Sequence, residues 1–95
     1  MLEKDLQAKI LKFLESRNEV FSFKIKQANR IGIPDIFFTT VKTGPWFVEI
    51  KPENEEPWIH QCAIIDKLNK CGTKATWISG WKGWIAFVKK IGLLE

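Results

Sequence analysis

A chain of 95 residues with 45% apolar and 13% aromatic side chains holds one domain, residues 1–95, around one modest core. Its 15 basic and 11 acidic residues leave a net charge of +4, a mild surplus that suits a polyanionic partner. No apolar run approaches the roughly 18 residues of a bilayer span, and Cys62, Cys71 and the single histidine His60 lack the number and spacing of a structural zinc site, so both cysteines read as reduced thiols.

On a helical wheel, residues 2–15 gather Leu2, Leu6, Ile10, Leu11, Phe13 and Leu14 into one stripe, which predicts an amphipathic helix. Glu3 falls inside that stripe, between Ile10 and Leu14, with Gln7 one turn further along the same face. A frayed first turn that lets Glu3 reach water would account for it. Residues 20–26 alternate, Phe21, Phe23 and Ile25 against Ser22, Lys24 and Lys26, the pattern of a half-buried strand. After a loop around Gly32, a β-rich run covers residues 35–41 and leads to a turn containing Gly44-Pro45. In the next strand, residues 46–51, a period of two sets Trp46, Val48 and Ile50 on one face and Phe47, Glu49 and Lys51 on the other.

The polar stretch 52–57 is a loop, and Pro57 suits the first turn of a second helix ended by Gly72 as a left-handed cap. The stripe of that helix gathers Trp58, Cys62, Ile64, Ile65 and Leu68, and Gln61 falls among them as a second polar residue pointing inward. A fourth strand covers residues 74–79. Over residues 81–91, Trp81, Trp84, Ile85, Phe87, Val88 and Ile91 share a face away from Lys82, Lys89 and Lys90, which predicts a third helix. Gly83 costs that helix about 1 kcal/mol relative to alanine, and the β-rich composition leaves a hairpin open. The order reads αβββαβα.

Hydrolysing a phosphodiester calls for neutralised phosphate charge, a hydroxide near neutral pH and a stabilised leaving oxygen, tasks that divalent cations can share. Mg²⁺ takes oxygen ligands and keeps several waters, so two carboxylates and a backbone carbonyl are a sufficient protein contribution. Asp35 opens one strand and Glu49 lies in the next, so paired strands would let both acids converge on one ion. Lys51 would stand on the same face, able to orient a water or stabilise the charged transition state. An acid and a lysine on one strand are equally the mark of a solvated face with a weak ion pair. What raises the functional reading is the combination of Gly32-Ile33-Pro34-Asp35, Glu49-x-Lys51 and the two inward polar residues Glu3 and Gln61.

Glu3 with Gln7, Arg30-x-Gly32-x-Pro34-Asp35, Glu49-x-Lys51 and Gln61, in that order and spacing from residue 3 to about Gly72, resemble the virus-type replication-repair nuclease (VRR-NUC) domain of the PD-(D/E)XK superfamily. The resemblance implies a restriction-endonuclease-like α/β fold, a twisted mixed sheet flanked by helices. It also implies that Asp35, Glu49 and the Ile50 carbonyl ligate Mg²⁺ or Mn²⁺, with Lys51 catalytic. Glu3 would serve the metal site directly or through a water, and Gln61 would orient Lys51 or the attacking water. Stand-alone members of the family suggest a homodimer acting on branched DNA such as four-way junctions.

The expectation is therefore a metal-dependent, structure-selective DNA endonuclease, in the cytoplasm or, in a eukaryotic cell, the nucleus. Another PD-(D/E)XK nuclease, of restriction or single-strand type, is the alternative among enzymes. A nucleic-acid-binding module without chemistry would share the basic surplus, because phosphate contacts by Lys24, Lys26, Arg30 and the C-terminal lysines need no metal. The intact acids separate the two, since a pure binder gains nothing from carboxylates beside its phosphate path. Asn29, Arg30 and Lys42 are expected in loops near the sheet, where they would grip the backbone or simply be solvated. Trp58, Trp81 and Trp84 would stack on bases or, as their helical spacing favours, be buried. Five tryptophans and seven phenylalanines exceed what a small core readily hides, so residues 81–94 are expected to cover a partner copy; a compact monomer nicking one strand at a time is the alternative.

Overall fold

A computed structural model of the chain describes residues 1–94. Among the described residues the elements run α1 (Glu3–Glu15), β1 (Phe21–Lys24), β2 (Ile36–Thr40), β3 (Gly44–Lys51), α2 (Ile59–Lys70), β4 (Lys74–Ser79) and α3 (Gly80–Lys90), the predicted order. The strands form one mixed sheet, β1-β2-β3-β4, antiparallel except for the parallel pair β3–β4. Parallel neighbours need a crossover, which α2 supplies. No helix of the described residues is long and apolar enough to cross a membrane.

The core lies on one sheet face. Ile36 and Phe38 of β2, Val48 and Ile50 of β3 and Ile78 of β4 meet Leu6, Ile10 and Leu14 of α1 and Trp84 and Val88 of α3. Burying each such side chain contributes about 1.5–3 kcal/mol. The four-residue spacing of Trp84 and Val88 places both on one side of a helix, so the period prevails over β-propensity and residues 80–90 are helical rather than a hairpin. The rings of Phe13, Phe38 and Phe87 lie within 6.1 Å of Trp84, and Leu93 also joins the core. The segment expected to cover a partner thus fills this chain's own interior.

Four details differ from the sequence reading. The hairpin between β2 and β3 turns at Val41-Lys42-Thr43, where the Thr43 N–H donates to Thr40 Oγ1 at 2.9 Å; Gly44 and Pro45 already belong to β3. Pro57 precedes α2 instead of entering its first turn, while Gly72 does close the helix at φ +89°. α2 rests on the sheet with only half-buried contacts, so Ile64, Ile65 and Leu68 pack while Trp58 and Cys62, assigned to the same stripe, are exposed. Phe21 and Phe23, the apolar side of the first strand, also face outward, because α1 packs against the other face of β1. They extend a row through Phe37 to Phe47, with successive ring centroids 6.0, 5.2 and 5.1 Å apart.

Candidate active site

The ladder between β2 and β3 ends where Ile36 faces Val48. Beyond it Pro34 has no N–H to continue the pairing. Asp35, one residue before β2, supplies a side-chain acceptor to the next β3 donor: Oδ2 accepts the Ile50 N–H at 2.8 Å, while its own carbonyl accepts the Ile25 N–H at 2.8 Å. The N–H and C=O of a strand residue point to the same side, so the Ile50 carbonyl faces the gap that Asp35 occupies.

Strand alternation carries Glu49 and Lys51 to the sheet face opposite the core. They are nonetheless 2% and 6% exposed. Gln61, in the first turn of α2, reaches down to this face, and its Nε2 donates to Glu49 Oε2 at 3.1 Å. Its Oε1 accepts the Trp58 N–H at 2.8 Å, one half of a capping box; the indole has no acceptor to form the other half. Lys51 Nζ lies 3.9 Å from Glu49 Oε2 and 5.1 Å from the centre of the Trp58 ring.

Burial raises the Glu49 carboxyl to about 8, with the neighbouring Asp35 adding to the rise through its charge and a carboxyl hydrogen bond and Lys51 opposing it. Glu3 approaches the pair from α1. Burial first, then the Asp35 charge, raises its carboxyl as well, and Gln7 Nε2 stands 3.4 Å from its Oε2. Three carboxyl groups thus crowd around one lysine, and burial and mutual repulsion push two of them, Glu49 and Glu3, toward the neutral form. The donors are hard oxygens, which suit Mg²⁺ or Mn²⁺. Among the described residues no three of the His, Cys, Asp and Glu side chains form a ligand cluster, so a bound ion would draw on two carboxylates, the Ile50 carbonyl and water. Such a water-rich shell is the usual habit of Mg²⁺.

The fold brings together Asp35, Glu49, Ile50, Lys51 and Gln61, with Glu3 at their side. Lys24, Lys26, Asn29 and Arg30 are exposed, and Lys26 and Arg30 line a cleft of about 240 Å³ together with Gly32 and Asp35. Lys42 is elsewhere. It sits in the β2–β3 turn against Gly92, and the seven strand steps from Gly44 to Lys51 set it roughly 23 Å from the site. The sequence offers Trp58 for base stacking or burial without placing it beside the acids, and it gives no sign of His60 as its neighbour there, their rings 5.4 Å apart. The contact between His60 and Gly32 is a tertiary approach of loop to helix that no local pattern encodes.

A mixed four-stranded sheet whose acids meet where two strands part, with helices on both faces, defines an α/β domain of the expected architecture. Solved structures agree. One, described as a VRR_NUC domain, matches with a TM-score of 0.76 at 24% identity, over 93% of this chain and 94% of that one. A second, described as a VRR_NUC domain protein, has a TM-score of 0.77 at 16% identity, over 96% of this chain and 88% of that one. No protein-family profile matches the chain, and no curated protein does. The chain therefore has the VRR_NUC-domain fold.

Proposed function

We propose that the chain is a metal-dependent nuclease, a structure-selective DNA endonuclease that acts as a homodimer. The observation that carries this reading is the convergence of Asp35, just before β2, and Glu49 of β3 beside a buried Lys51. Mg²⁺ or Mn²⁺ held by Asp35, Glu49 and the Ile50 carbonyl would neutralise phosphate charge and lower the pKa of a water to supply hydroxide. The Ile50 N–H holds Asp35 in place, and the Gln61 amide does the same for Glu49. The Lys51 ammonium, fixed and poorly solvated, contributes positive charge where the phosphate gains negative charge in the transition state. Glu3 adds a third carboxylate at the edge of the site. Lys24, Lys26, Asn29 and Arg30 would grip the DNA backbone alongside.

The outward row of phenylalanines supports the dimer. Phe21, Phe23, Phe37, Thr39, Pro45 and Phe47, which share this part of the sheet face, include no charged residue, so phosphates find no partner there. An identical neutral row on a second copy fits it through an isologous contact. Phe47 lies one strand period from Glu49, so the contact would hold two sites in fixed relation for cutting two strands.

A panel of linear, flapped and four-way DNA with Mg²⁺ or Mn²⁺, with and without EDTA, tests the proposal. Cleavage that is strongest on one branched form and stops with EDTA is expected. Cutting that survives chelation rejects the mechanism, and binding without any cutting favours the module that only holds nucleic acid.

A further inference from the structure

The tryptophans of this chain have opposite fates. Trp84 has no exposed surface, whereas Trp58 is 65% exposed and the adjoining Ile59 88%. Trp58 is held at the mouth of the acid site by three contacts. Its N–H is bonded to Gln61, which also holds Glu49; the Lys51 ammonium lies 5.1 Å from its ring centre; and His60 packs beside it at 5.4 Å with the rings inclined at 56°. His60 in turn lies so close to Gly32 that a Cβ there would stand 3.1 Å from the imidazole, which ties the aromatic pair to the loop carrying Lys26, Asn29 and Arg30. A fixed, exposed indole thus stands between the ammonium proposed to face the phosphate and a loop of exposed cations. The phenylalanine row differs in having no charged residue on its part of the sheet face.

We propose that Trp58, backed by His60, is a stacking site for the nucleobase next to the scissile phosphate, and that the chain therefore favours nucleic acid in which that base is unpaired. The location of the phosphate rests on the nuclease reading above. A base within a duplex already has both faces stacked, whereas an unpaired base offers a flat apolar face to the exposed indole, and its phosphate would then fall among Lys51 and the basic loop. Stacking of this kind is tolerant of sequence, so the preference would follow DNA structure rather than base identity.

Binding of a labelled single-stranded oligonucleotide and of its blunt duplex, measured by anisotropy in EDTA so that nothing is cut, tests the site in the wild type, Trp58→Ala and Trp58→Phe. Trp58→Ala is expected to lower the ratio of single-strand to duplex affinity about tenfold, and Trp58→Phe to keep most of it. If Trp58→Ala leaves that ratio unchanged, whether or not both affinities fall, the indole only packs on Lys51 and the stacking site is refuted. The nuclease reading fails separately. A wild type that never cuts with Mg²⁺ yet shows the tryptophan-dependent ratio binds bases without cleaving, whereas one that cuts, with a ratio indifferent to Trp58, is a nuclease without this site. Circular dichroism melting checks that the variants remain folded, as expected for an exposed position.

Discussion

Glu49 combines burial with a neighbouring carboxylate, and both disfavour its charged form. Its carboxyl keeps a proton up to about pH 8 in the folded chain, against an ordinary value of 4.5. Between those values the folded state binds more protons than the unfolded one, so this residue's contribution to stability is fully present below pH 4.5 and is lost as the pH rises to about 8. Melting curves in EDTA at pH 5 and pH 8.5 should show that loss in the wild type and a smaller one in Glu49→Gln, which cannot ionise; parallel curves for the two proteins would contradict the raised carboxyl. The same replacement should abolish cleavage. Lys51→Met keeps the apolar stem and removes the charge, and the single-turnover rate should fall roughly 10²-fold or more. A wild-type rate would reduce Lys51 to a structural lysine. Gln61→Ala, which frees Glu49 without removing it, should lose less than either.

Among the elements, the loop between β1 and β2 does the most to shape the site, and Gly32 is its tightest point. At φ +88° it lies in the left-handed region, and a Cβ would come within 3.1 Å of both the His60 ring and the His60 carbonyl. Gly72 has nearly the same φ, +89°, with nothing within 4 Å. The pair forms an internal control. Gly32→Ala and Gly72→Ala should each cost about 1–2 kcal/mol from backbone strain. Gly32→Ala should cost more, and it alone should slow cleavage, because the added methyl pushes the loop that carries Asp35 away from α2. Equal losses in denaturant melts, with equal cleavage rates, would mean that the approach of loop and helix has no part in the site.

For the whole molecule, the surplus of aromatic side chains is decisive. The third helix and the segment after it absorb their share into the core, while the phenylalanine row on the β1–β2–β3 face stays exposed at Phe21 and Phe23. Phe21 and Phe23 are 64% and 45% exposed, so Phe21→Ser with Phe23→Ser should leave the melting temperature of the single chain nearly unchanged. Sedimentation equilibrium at micromolar protein should show a dimer for the wild type and a monomer for the double variant. Mixing wild-type chains with Glu49→Ala chains should convert double-strand cutting into nicking. A monomeric wild type, or product ratios that mixing does not alter, would eliminate the dimer.

Much of this was legible in local pattern. The spacing of apolar residues indicated three helices and four strands in their observed order, because periods of 3.6 and 2 are written directly into the chain. The same period of two assigned Glu49 and Lys51 to one face, and the position of Glu3 in an apolar stripe flagged it as unusual. Which face of β1 turns outward was not legible, because alternation distinguishes two faces without saying which one a helix will cover; α1 took the Ser22 side. Trp58 was misassigned for a related reason, since a helical wheel describes residues as though the helix continued through them, and α2 begins only at Ile59. Asp35 accepting the Ile50 N–H, Gln61 joining Trp58 to Glu49, and Gly32 seated against His60 were decided by tertiary structure alone. Each joins residues on different segments, and only the packing of those segments fixes the distance between them.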